Sequence, residues 1–149
     1  MANVKQLFPV FDIPAVTVRE DEQADALLPG PLFDYEMGDF ARDGANRVLM
    51  VDGLNSYIIW CLKMLQTQLG ACEAYPESGI DMEGAMAQPN RQAVQSELER
   101  TITEGLRHNP HTERVYGFSF SWRGDELTCM FVVKPRNLPV FELNLTVTQ

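Results

Sequence analysis

The stretch YGFSFSWRGDELTCMFVV, residues 116–133, alternates apolar and polar residues on both sides of Gly124-Asp125. Tyr116, Phe118, Phe120 and Trp122 fall on one face of a first strand, and Leu127, Cys129, Phe131 and Val133 on one face of a second. A period of two marks strands with one buried face. A two-residue loop at Gly124-Asp125, with glycine supplying a positive φ, joins them as a hairpin. Arg123 then opposes Glu126, Trp122 opposes Leu127, Phe120 opposes Cys129 and Phe118 opposes Phe131. A register one residue off would destroy every one of these matches. Beyond Pro139 a further run alternates: Phe141, Leu143, Leu145 and Val147 point one way, and Glu142, Asn144, Thr146 and Thr148 the other.

Two helices precede the hairpin. Leu54, Ile58, Cys61, Leu62, Leu65 and Leu69 recur at helical spacing and predict a helix over 54–69, closed by Gly70 as a left-handed cap. Residues 71–88, with Pro76, Gly79 and Gly84, read as loop. Val94, Leu98, Ile102 and Leu106 predict a second helix over 91–108, with an Arg100–Glu104 pair on its outer side and Pro110 stopping it. Ahead of the helices, Phe33, Tyr35 and Met37 alternate with Asp34, Glu36 and Gly38 as a half-exposed strand. Turns follow at Gly38-Asp39 and Asp43-Gly44, then a short strand over Arg47–Asp52. Strands grouped apart from helices predict an α+β fold: two main helices packed on a small, mostly antiparallel sheet. Residues 1–31 hold Pro9, Pro14, Pro29 and Pro31 and the acidic run Glu20, Asp21, Glu22 and Asp25. They read as an extended N-terminal arm, with a single domain over 32–149.

The bulk properties narrow the partners. The formal net charge is −9 and the sequence pI about 4.6. Such a surface repels nucleic-acid phosphate and anionic membranes, so neither is an expected partner. The apolar stretch Tyr57–Leu65 is far short of the about 20 residues a membrane span needs. Three cysteines without close-pair spacing fit a reducing compartment. The expectation is a soluble protein made in a cytoplasm.

Catalytic chemistry is not selected anywhere. Asp34, Glu36, Asp39, Asp43 and Asp52 lack calcium-loop spacing, and no two carboxylates stand out as a hydrolytic pair. His108 and His111 are separated by the helix stop at Pro110, without cysteines to complete a zinc set. Arg123-Gly124-Asp125 spells an adhesion tripeptide, which the hairpin turn explains. No catalytic residue, metal ligand or cofactor site is assigned. What remains is shape, and the alternating terminal strand: at a sheet edge it would offer free backbone groups to another strand.

The order of motifs is itself distinctive. FDYEMGDFARDG (33–44), VDGLNSYIIWCLKMLQT (51–67), a loop with Tyr75 and Gly79, and ELERTITEGLRHNPHTERVYGF (97–118) resemble the tail sheath initiator, or baseplate wedge protein, of contractile-tailed phages. This branch is common in prophage tail operons of Gram-positive hosts and is similar to the baseplate subunit of type VI secretion. The resemblance implies a non-enzymatic assembly protein, placed in several copies around the tail tube near the hub. It implies partnership with wedge proteins and with the sheath, whose first ring assembles by strand exchange. The particle would be a phage or a bacteriocin-like tail, assembled in the host cytoplasm. Members end the second helix with a Glu-Pro-Arg triplet that docks on wedge partners. The matching positions here are Asn109, Pro110 and His111. Both charges are gone, and Arg107 and Arg114 are the candidates to replace them. The sheath-facing candidates are Val140, Glu142, Asn144, Thr146 and Thr148 on the last strand. The competing expectations are a tail-associated muralytic hydrolase, since the family has carried a baseplate lysozyme label, and an α+β adaptor unrelated to tails.

Overall fold

The computed structural model describes residues 10–12, 29–34 and 36–148. The rest of the expected arm, and Tyr35, lie outside the described residues. Five short strands come first: β1 (Val10–Asp12), β2 (Gly30–Pro31), β3 (Phe33–Asp34), β4 (Asp39–Phe40) and β5 (Met50–Val51). Three helices follow: α1 (Gly53–Gln66), α2 (Met82–Met86) and α3 (Arg91–Arg107). The chain then forms β6 (Thr112–Arg123), β7 (Glu126–Pro135) and β8 (Phe141–Thr148). The main sheet is antiparallel, in the order β1-β8-β7-β6. β2 pairs with β5, and β3 with β4, in a separate ribbon. The fold is α+β.

One face of the main sheet carries the core. Leu127, Cys129, Phe131 and Val133 of β7 and Phe141, Leu143 and Leu145 of β8 are buried there. Against them pack Tyr57, Ile58, Cys61, Leu62 and Leu65 of α1 and Val94, Leu98, Ile102 and Leu106 of α3. Burying one such leucine contributes roughly 1.5–3 kcal/mol, which is why the stripes legible in the sequence meet here.

The hairpin has the expected register at its turn: Arg123↔Glu126, Trp122↔Leu127 and Phe120↔Cys129, with Gly124 at φ +62°. Phe118 stacks on Phe131 at 5.3 Å. Tyr116 departs from expectation. A bulge at Gly117, φ +70°, inserts one residue, so Tyr116 pairs with Val132 on the outer face and Val115 with Val133 on the core face.

Other boundaries move for local reasons. The expected strand over 33–37 stops at Asp34, whose carboxylate accepts from the amides of Glu36 (2.9 Å) and Met37 (3.0 Å) and turns the chain. The strand expected over Arg47–Asp52 is reduced to Met50–Val51, with Val48 bridging Arg42. Helix α1 ends at Gln66, before Gly70, because Thr67 O accepts from Ile80 N and Leu69 N donates to Ile80 O, both at 2.9 Å. Leu69, expected on the buried stripe, is 45% exposed. The expected loop contains α2, started by Asp81, whose carboxylate accepts from Gly84 N at 3.0 Å. Asn90 caps α3 by accepting from Ala93 N at 2.8 Å, and Arg100 bonds both Glu97 and Glu104 on the outer side.

Candidate docking corner and strand edge

The corner between α3 and β6 gathers the wedge-facing candidates. His108 caps α3, and Pro110 carries no amide to continue it. Asn109 folds the turn: its side chain accepts from His111 N (2.9 Å) and its carbonyl from Thr112 N (3.0 Å). Thr112 is buried and ties three elements together. Its hydroxyl donates to Leu106 O (2.6 Å) and accepts from the Tyr57 hydroxyl (2.5 Å). Arg136 N donates to His111 O at 2.7 Å, which joins the end of β7 to the turn. The corner is therefore fixed from α1, α3 and β7 at once. Its outward side presents Arg107, His108, Pro110 and Arg114, all exposed, with Asn109 and His111 half-buried. The Arg114 guanidinium lies 4.7 Å from the Tyr116 ring centroid, on the outer sheet face.

Two residues belong here that the sequence did not suggest. Lys134 is the cross-strand partner of Arg114 and bonds Glu113 at 2.9 Å, and Arg136 runs beside His111. The hairpin register could have placed them, but counting back from Gly124-Asp125 pairs Arg114 with Pro135. The bulge at Gly117 shifts it to Lys134. In a chain of net charge −9, this corner collects four of the 12 lysines and arginines.

The second candidate is β8. Its inner side chains are core, whereas Glu142 and Thr148 are exposed and Asn144 and Thr146 half-buried on the outer face. Val140, 53% exposed, precedes the strand. One edge of β8 pairs with β7 along its whole length, from Phe141↔Val133 to Thr148↔Glu126. The other edge was expected to stand open. It does so only in part: β1 occupies it, pairing Val10↔Thr146, Phe11↔Leu145 and Asp12↔Asn144. Among the described residues, no strand covers that edge on either side of these three pairs.

The acidic residues of the N-terminal ribbon hold backbone. Asp43 accepts from Ala45 N (2.8 Å) and Arg47 N (2.9 Å) and pairs with the Arg47 guanidinium. The Arg47 amide holds its carboxyl below the ordinary carboxylate range. Asp39 accepts from Phe40 N at 2.7 Å. Burial pushes the Cys61 and Cys129 thiols up to about 12, which is opposite to what a nucleophile needs. Glu77, Glu104 and His108 line an open groove with Leu69, Gly79 and Gly105. Among the described residues, no three His, Cys, Asp or Glu side chains group as a metal site. No described helix is long and apolar enough to cross a membrane.

A family model described as the contractile injection system sheath initiator matches residues 31–136. The match includes the corner and the hairpin and ends before β8. No curated protein matches the chain.

Proposed function

We propose a function from one premise: the chain belongs to the contractile injection system sheath initiator family. Its place is the tail, as a structural component. In our reading it sits in the inner baseplate, in several copies around the tube, and is assembled there in the host cytoplasm. It holds wedge proteins at the corner of Arg107, Asn109, Pro110, His111 and Arg114. It offers the edge of β8 to a strand of the first sheath ring. The prophage branch and the likeness to the type VI baseplate subunit belong to the same proposal, as does the division into an arm over 1–31 and a domain over 32–149.

The observation that supports strand addition is β8 itself. It is anchored by eight pairs to β7 and by three buried side chains, while its second edge is filled over three residues only. Backbone bonds to a new strand contribute about 0.5–1.5 kcal/mol each, so several are needed and edge length matters more than any one side chain. Removing residues 140–149 would remove Phe141, Leu143 and Leu145 from the core, so the edge is tested in the intact chain. Amide hydrogen exchange with purified sheath protein should slow at those amides of Phe141–Leu143 and Val147–Thr148 that face away from β7. Sheath that binds without slowing these amides overturns the reading.

The corner is tested by His111→Glu with Arg114→Glu and a wedge-protein pull-down. The reading fails if this variant keeps its fold and binds wedge unchanged. The protein acts without hydrolytic chemistry in this reading. Peptidoglycan cleavage by the purified chain, lost on Glu36→Gln or Glu83→Gln, would reverse that and favour the muralytic alternative.

A further inference from the structure

The edge proposed for the sheath is occupied by the chain's own residues. β1 pairs antiparallel with Asn144–Thr146, the middle of β8. An added strand running along β8 needs those same backbone groups, so β1 and an incoming strand exclude each other. An uncovered strand edge in a free subunit pairs with any other edge, including that of a second copy. Three pairs blunt that hazard, and three pairs are few against a strand that can use the eight residues of β8. The fold thus contains a short competitor at the place where a longer partner has to go.

We infer that β1 is a placeholder strand: it shields the edge of β8 in the free subunit and is displaced when a sheath strand adds. This rests on β8 being the sheath-facing edge. It makes the N-terminal segment a brake on premature assembly, released by a longer ladder.

The test locks β1 in place. Val10 and Thr146 are directly paired, so Val10→Cys with Thr146→Cys, in a Cys72→Ser background, allows a reversible cross-link. Cys61 and Cys129 are buried and stay. Sheath nucleation on reconstituted baseplates is measured with the full chain, oxidised and reduced. Oxidation should slow nucleation roughly tenfold or more, the equivalent of one or two ladder bonds, and reduction should restore it. Wedge binding should not change in either state. The converse variant is Val10→Pro with Phe11→Pro. Successive strand residues face opposite edges, so one of the two prolines must delete a β1 donor to β8. That variant should nucleate at least as fast as the parent and should self-associate more. Normal nucleation by the oxidised chain would overturn the placeholder role. If the reduced and parent chains both nucleate, the cross-link has no effect and the β8 amides that face away from β7 still slow when sheath binds, the inference fails alone. If those amides do not slow, the reading of β8 fails, and this inference with it.

Discussion

Two regions of this chain are built from antiparallel strands, and they are held by different forces. The ribbon over 30–51 has strands of two residues and buries no described side chain. Its Met37 and Met50 are 80% and 58% exposed. What holds it is chiefly hydrogen bonding: Leu32 N to Leu49 O, Ala41 N to Leu32 O and Leu49 N to Ala41 O, with Asp34 and Asp43 fastening the turns. One edge-to-face contact of the Phe33 and Phe40 rings, at 5.4 Å, adds to it. The sheet over 112–148 has strands of eight to twelve residues, and β7 and β8 send seven apolar side chains into one core. Burial makes a sheet cooperative, whereas local bonds make a ribbon that can open by itself.

Substitutions should rank accordingly. The largest effect is expected in the sheet, where Leu143→Ala should destabilise by about 2–5 kcal/mol and Phe131→Ala by about 3–5 kcal/mol in denaturant unfolding. A loss below about 1 kcal/mol at both sites would remove the distinction. Next comes Thr112→Val, which removes the Tyr57 hydroxyl's bond to Thr112 and leaves the Leu106 carbonyl only longer backbone bonds such as that from Asn109 N (3.4 Å), and should cost about 2 kcal/mol. Adding Tyr57→Phe to it should cost little more, because the two changes delete one chain of bonds. Additive losses would mean the two hydroxyls act separately.

Gly117→Ala forces a side chain into φ +70° at the bulge and should cost about 1–2 kcal/mol. A neutral result would mean that the bulge relaxes and that Tyr116 regains the core face. The smallest effect is expected in the ribbon. Asp43→Ala should leave the melting transition unchanged and speed hydrogen exchange at the Ala45 and Arg47 amides. Its carboxyl titrates below the ordinary value of 3.8 in the folded chain, chiefly through the Arg47 amide. The turn is therefore fully held above that value and loosens as pH falls through the lower folded one. Exchange at those two amides, followed from neutral to acid pH, checks the direction. A global melt shift for Asp43→Ala would tie the ribbon to the core.

What was legible in the sequence follows the same division. Long alternation and helical stripes feed a core, so Leu127–Val133, Leu143, Leu145 and the faces of α1 and α3 could be placed from residue types alone. The ribbon could not, because Asp34 ends β3 through a side-chain bond that leaves the alternation Phe33, Tyr35, Met37 intact on paper. The end of α1 was set by Ile80, distant in sequence, against the local signal of Gly70. Helix α2 was hidden by its short length and by Gly84. At the corner, Asn109–His111 was visible as a helix stop, but Lys134 and Arg136 depend on a register that Gly117 changes. The pairing of β1 with β8 had no local signal, since three residues of an acidic, proline-bearing segment do not announce a strand.

The register of β8 has a mechanical consequence. A strand pulled along its own axis loads all its ladder bonds in shear, together. One lifted at an end peels, and its bonds break singly. β8 lies alongside β7 over eight pairs and is continuous with the core through Phe141, Leu143 and Leu145. A pull along β8 is thus resisted by the whole ladder at once, while β1, with three pairs, gives way under a much smaller force. Two strands on opposite edges of the same one differ in grip, and tension on the sheet would release one and keep the other.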